Sequence, residues 1–248
     1  MFKKNNNFSC SFAMTLAEVL ITIGIIGVVC AMTIPTLMQN MQERATIAAL
    51  RKIMSTLSNA YTLAVQENGT PENWGLAATA IGAENMLNTI ATYLNISKNC
   101  GRNSGCFPTN YLKLNNDAYT NNIDGNSNMA KVQLADGSLL AAGAYSNCTT
   151  YNWGSTPALQ NLCGEFYVDI NGFKKPNQWG KDLFLFNLTK YGIIPAGTAQ
   201  YTSGYTFDSC KTSASAIGHT CAAWVIYNEN MDYLHCSDLS WGGKTKCD

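Results

Sequence analysis

The sequence predicts an α+β fold: one long N-terminal helix packed on a small antiparallel sheet, with loops stapled by disulfides. Three observations predict it. An apolar run from Val19 to Leu37 continues into an amphipathic stripe. Strand-like runs separated by Asp-Gly and Asn-Gly pairs occupy the second half of the chain. Eight of the ten cysteines follow the apolar run, an even number confined to one side of it.

The helix comes first. Val19–Leu37 is 19 uncharged residues, about 28 Å as a helix, which spans a bilayer core. Lys3 and Lys4 precede it and Glu18 is the first acidic residue, so the positive-inside bias puts the short leader in the cytoplasm and the rest outside. Beyond the run, Leu50, Ile53, Met54, Leu57, Tyr61 and Ala64 recur at helical spacing, and Gln42, Glu43, Arg44, Arg51 and Lys52 lie mainly off that stripe. One helix is therefore expected from about Met14 to Gln66, half in lipid and half amphipathic. Asn68-Gly69 and Pro71 end it. Pro35 removes one backbone donor and is expected to kink or locally open it.

After the helix comes a segment rich in Asn, Gly and Cys, with a short helix expected over 78–94. "KVQLADGSLLAAG" reads as a hairpin turning at Asp136-Gly137, a pair that supplies positive φ. "EFYVDINGFKKPNQWGKDLFLFNL" reads as a strand, an Asn171-Gly172 turn with a long polar loop, and a strand from Asp182 to Leu188. "CAAWVIYNENMDYLHC" reads as a last pair of strands turning near 228–230. No internal repeat is evident.

Composition narrows the function. Charged residues are 13% with a formal net charge of zero, about half the usual share of roughly 25%. Nucleic-acid binding needs a surplus of Lys and Arg and is excluded as an expectation. Cys100, Cys106, Cys148, Cys163, Cys210, Cys221, Cys236 and Cys247 read as disulfides made in an oxidising compartment. Proximity suggests Cys100–Cys106 and Cys210–Cys221 first, among the 105 connectivities eight cysteines allow. Zinc is the competing reading, since His219 stands near Cys221 and His235 abuts Cys236, but no CxxC pair is present. Neither a nucleophile elbow, a phosphate loop, a zinc-protease motif nor a dinucleotide fingerprint occurs, and an enzyme is the least favoured class. His219 and His235 read as structural, and Trp74, Trp153, Trp179 and Trp241 read mostly as core, with glycan or surface binding as the other reading.

Glu18 asks for an explanation, because a carboxylate at the mouth of an apolar span is costly unless interfacial or paired. "A-MTLAEVLITIGIIGVVCAMTIPTL" resembles the N-terminal signal of type IV pilins and type II secretion pseudopilins. The resemblance implies removal of leader 1–13 by a prepilin peptidase, a cut between Ala13 and Met14, and N-methylation of Met14. Thr15, Leu16 and Glu18 match the second, third and fifth mature positions, and Pro35 matches a proline common in such helices. Ala13 and Met14 depart from the family's usual Gly and Phe. The resemblance also implies that Glu18 pairs with the N-terminal amine of a neighbouring subunit, fixing register in a helix bundle. "YVDINGFKKPNQWGKDLFLF" is likewise similar to a segment recurring in bacterial pilin-like proteins.

The implied organisation is a leader over 1–13, a transmembrane and assembly helix over 14–38, its amphipathic continuation over 39–67 and a Cys-rich head over 68–248. The implied partners are other pilin or pseudopilin subunits, the peptidase, an inner-membrane assembly platform and membrane lipid. The implied place is the bacterial inner membrane before assembly, and a periplasmic pseudopilus or extracellular pilus after it. Asp169, Asn171, Asn177 and Asp182 could set hard oxygens around a calcium ion, as some resembling pseudopilins do, although Asp/Asn-Gly runs are most often turns. The rival is a secreted or anchored Cys-rich binding protein, with an ordinary signal cut before Met32 or a lipid-modified Cys30.

Overall fold

Helix, sheet and disulfides are all present in a computed structural model of the chain, which describes residues 15–146, 148, 152–202, 205–211 and 215–248. Its elements are α1 (Leu16–Asn68), α2 (Ala80–Ala91), β1 (Ile96–Gly101), β2 (Tyr111–Leu112), β3 (Ala118–Tyr119), β4 (Ala130–Leu134), β5 (Leu139–Ala144), β6 (Leu162–Asp169), β7 (Leu183–Thr189), β8 (Gly192–Pro195) and α3 (Ala222–Asn228). Two compact units divide the chain, Met1–Gln42 and Glu43–Asp248, so α1 contributes to both.

In the second unit the stripe of α1 does what its spacing predicts. Leu50, Ile53, Leu57, Ala60 and Ala64 are buried, with Met54 and Tyr61 packed beside them. Gly69 ends the helix at φ +73°, a left-handed position that suits glycine. Its carbonyl accepts from Trp74 Nε1 at 2.9 Å, and Pro71 opens a 3₁₀ turn. Thr79 caps α2, its hydroxyl accepting from Gly82 N.

Six strands form one antiparallel sheet in the order β1-β4-β5-β6-β7-β8, and β2 pairs with β3 separately. The β4–β5 hairpin turns at Asp136-Gly137 as expected, with Gly137 at φ +91° and Leu134 N donating to Ser138 O at 2.8 Å. Both faces of the sheet are covered. Val132, Leu140, Phe166, Val168, Phe184 and Phe186 point to the layer holding α1, α2 and α3. Leu139, Ala141, Leu183 and Leu185 point the other way, against Phe107, Tyr111 and Trp179. This is why β7 reads as the near-continuous apolar run LFLFNLT instead of alternating.

Lys131 also sits on that second face and is fully buried. Its Nζ donates to three carbonyls, Arg102 at 3.1 Å, Asp124 at 2.9 Å and Asn126 at 2.9 Å. The Asp124 carboxylate in turn accepts from Gly105, Cys106 and Phe107 N–H groups at 2.9–3.1 Å. Lysine and aspartate together fasten the segment between β1 and β4 to the sheet.

One expectation is corrected, and strands the sequence did not suggest are present. The last pair of strands, expected over 221–236, is α3 followed by a 3₁₀ turn at Asp232–Leu234. "AAWVIYN" carries strand-forming residue types, but Val225 N bonds Cys221 O at 3.1 Å, and Ala223 N reaches Ala196 O beyond β8. Tertiary packing of Trp224 on Phe207, with ring centroids 4.0 Å apart, overrides local preference. Glu229 then ends α3 at φ 55°. β1 falls inside the segment read only as rich in Asn, Gly and Cys; it is an edge strand with only Cys100 buried, so "ISKNCG" has no apolar alternation to show. β8 follows β7 through a tight turn at Lys190-Tyr191 and is four residues long, too short to register as a period.

Candidate functional site

The first unit is described from Thr15 onward, and both Ala13 and Met14, which flank the expected cut, lie outside the described residues. Thr15 precedes α1. Glu18 N donates to Thr15 Oγ1 at 3.2 Å, while Glu18 Oε2 accepts from Thr15 N at 2.8 Å and from Thr15 Oγ1 at 3.0 Å. This is a reciprocal capping box, which satisfies two of the otherwise orphaned N–H groups at a helix start. A carboxylate there also meets the positive end of the helix dipole. The signal was in the sequence: Thr15-Leu16-Ala17-Glu18 is a T-x-x-E directly before an apolar run.

The rest of this unit has the surface a membrane span requires. Leu20, Ile21, Ile25, Ile26, Val28 and Val29 are each more than half exposed, and adjacent pairs of this kind cover every side of a helix. The polar hydroxyls are returned to the backbone: Thr22 Oγ1 donates to Val19 O and Thr33 Oγ1 to Val29 O, both at 2.9 Å. The helix runs through Pro35. By length and hydropathy α1 is able to cross a membrane.

In the head, four disulfides join Cys100–Cys106, Cys148–Cys163, Cys210–Cys221 and Cys236–Cys247. The two pairs suggested by proximity are among them, and each of the others also joins sequence neighbours. Zinc is thereby excluded at Cys221 and Cys236, whose sulfurs are bonded. Among the described residues Cys30 is the free cysteine. His235 Nε2 lies 2.8 Å from Glu43 Oε1, and His219 packs edge-on to Tyr205 and Trp179. Trp74 and Trp179 are buried, and Trp153 and Trp241 are half-buried.

The β6–β7 connection brings Asp169, Asn171, Asn177 and Asp182 together. Asp169 Oδ1 accepts from the Asn171 and Gly172 N–H groups, at 3.1 and 2.8 Å, and its Oδ2 accepts from the Tyr111 hydroxyl at 2.6 Å. Asp182 Oδ1 accepts from Gln178 N at 2.6 Å, and its Oδ2 from Asn177 N at 2.7 Å and Asn171 Nδ2 at 3.3 Å. Three of the four carboxylate oxygens thus organise the loop itself, and Asp169 Oδ2 ties it to β2. Burial, reinforced by the nearby Asp182 charge, raises the Asp169 carboxyl to about 7, and burial raises Asp182 as well. The Oδ1 atoms of Asn171 and Asn177 are buried without a donor. A hard cation would find these two amide oxygens uncommitted, beside carboxylates already hydrogen-bonded. No group of three or more His, Cys, Asp or Glu among the described residues is placed to hold a metal.

A protein-family profile described as a family of unknown function (DUF6613) matches residues 36–229. The chain belongs to that family. The match covers the amphipathic half of α1 and most of the head, and starts after the capping box and most of the apolar run. No curated protein and no solved structure matches the chain.

Proposed function

We propose that this DUF6613 protein is a pilin-like structural subunit of a type IV pilus or a type II secretion pseudopilus. It is inserted in the inner membrane, trimmed between Ala13 and Met14, N-methylated at Met14 and assembled through α1 with other subunits. The observation that carries the reading is the first unit: a capped helix, apolar on every side, begins at the point the resemblance assigns to the start of the mature chain. Helices of this kind bury their apolar surface against lipid or against each other. The Cys-stapled head stays outside the membrane, where disulfides persist.

Glu18 has two roles in this reading. Its local role is the capping box, and its assembly role is a charge pair with the amine of the next subunit. The two separate cleanly by substitution. Glu18→Gln keeps a capping acceptor, since Gln serves at this position of the box, but removes the charge. Loss of filaments in Glu18→Gln with normal membrane insertion supports the assembly role; normal filaments would confine Glu18 to capping.

The capping box also leaves room for the second reading, an anchored Cys-rich binding protein, because it accounts for Glu18 without a partner. The N-terminal peptide mass of the mature protein decides between them. A start at N-methylated Met14 is expected; a start at Met32, or at a lipid-modified Cys30, would overturn the assembly reading.

A further inference from the structure

On the second face of the sheet an open pocket of about 350 Å³ is lined by Tyr119, Asn121, Asn122, Asn126, Met129 and Tyr167, among others. This is at the small end of the roughly 300–1,000 Å³ spanned by ligand sites. Its walls are fixed from behind. Tyr119 and Tyr167 both pack edge-on against the buried Trp179, with centroids 5.5 and 5.6 Å away. Tyr167 also donates its hydroxyl to Glu165 Oε1 at 2.7 Å, and Tyr145 donates to the other carboxylate oxygen at 2.7 Å.

The opposite wall is the segment before β4. Asn122 Oδ1 accepts from Gly125 N at 3.0 Å and Asn126 Oδ1 from Asn128 N at 2.9 Å. The carbonyls of Asp124 and Asn126 are held by buried Lys131, as described above. The two asparagine oxygens therefore face inward onto backbone. Among the described residues, no protein group accepts from the Nδ2 of Asn122 or Asn126.

The lining combines tyrosine rings, amide donors and hydroxyls, and carries no charged side chain. Lys131 is committed to three carbonyls and Glu165 to two phenols, so neither offers a counter-charge to an ionic ligand. Aromatic surface beside uncharged hydrogen-bonding groups suits a molecule with apolar C–H faces and many hydroxyls. We propose that this pocket binds a neutral saccharide unit of hexose size. The preformed walls keep the ordering cost of binding low. The inference concerns the head alone and does not rest on how α1 is used.

The test is saturation-transfer NMR and titration on the full chain in a detergent without a sugar headgroup. The probes are the methyl glycosides of glucose, galactose and N-acetylglucosamine, with glucuronate, glucosamine and tetramethylammonium as charged comparators. At least one neutral glycoside should bind, and the charged comparators should bind at least tenfold more weakly. Tyr119→Leu should weaken binding tenfold or more, whereas Tyr119→Phe, which keeps the ring, should stay within about threefold. Asn122→Asp retains the acceptor for Gly125 N but replaces the amide donor, and should also weaken binding tenfold while the thermal midpoint holds. Absence of binding by all three glycosides, tighter binding of a charged comparator, or indifference to both Tyr119→Leu and Asn122→Asp would overturn the proposal.

Discussion

The two halves of α1 share one secondary structure and little else. From Glu43 onward the helix has one buried stripe, Leu50, Ile53, Leu57, Ala60 and Ala64, with its charged residues off that stripe. Before it, the apolar side chains are exposed on every side. The difference shows which physics each half relies on. Packing inside its own chain stabilises the second half. The first half satisfies its polar groups along its own axis, with the cap and with hydroxyls returned to the backbone, and its apolar surface stays exposed. Composition and angular distribution both separate the halves: Val19–Leu37 is uncharged, whereas Glu43, Arg44, Arg51, Lys52 and Glu67 lie around the buried stripe.

The sharpest way to break this comparison is to attack what holds the head together apart from α1. Lys131→Met removes the buried ammonium: Arg102 O loses its donor, while Asp124 O keeps only Ser104 Oγ and Asn126 O only Met129 N, each at 3.2 Å. Hydrogen bonds to a charged donor contribute about 1.5–3 kcal/mol each, and three are lost. Urea unfolding should show that loss, with Tyr119 and the pocket wall loosening in hydrogen exchange. If the midpoint holds, the carbonyl cage is not what fastens that segment.

The next contrast is within α1. Leu57 is fully buried, and Leu57→Ala should cost the head about 2–5 kcal/mol as a cavity opens. Ile26 is 61% exposed, and Ile26→Ala should leave head unfolding unchanged. Equal effects at the two positions would mean that the apolar half also packs within the chain.

A third test reads the β6–β7 loop through pH. The Asp169 carboxyl is raised from 3.8 to about 7 by burial and by Asp182, so between those values the folded chain holds a proton that the unfolded chain releases. Stability is therefore greatest below about pH 4 for this group and falls as pH rises towards 7. Asp182 is shifted in the same direction. The thermal midpoint should decline from pH 5 to pH 7.5, and Asp169→Asn should flatten much of that slope. A midpoint that climbs over this range in the parent protein would show that the two carboxylates are ionised and compensated.

What was legible in the sequence was carried by local or periodic signals. The extent of α1 follows from spacing and from Gly69. The β4–β5 and β6–β7 connections follow from Asp136-Gly137 and from the polar run after Asp169. The disulfides follow the shortest separations. The residues missed are those whose roles depend on what lies across the fold. Lys131 alternates as an outward-facing strand residue, and only the segment that folds over it makes it interior. Trp224 and Val225 look like strand residues until Phe207 and Ala196 are placed beside them. The pocket joins β3 and β6 with a loop, and no stretch of sequence contains it.

The smallest expected effect tests the apolar half on its own terms. Thr15→Ala removes one side of the capping box and should cost the first turn of α1 about 0.5–2 kcal/mol, while Thr15→Ser should restore it. Because the cap acts only on the local N–H groups, the loss should appear as faster amide exchange confined to the first turn, with head stability unchanged. A loss spread along 16–42 would mean that the cap sets the stability of the whole apolar half. Exchange unchanged in Thr15→Ala would mean that the surroundings of the helix, and not Thr15 and Glu18, satisfy its first turn.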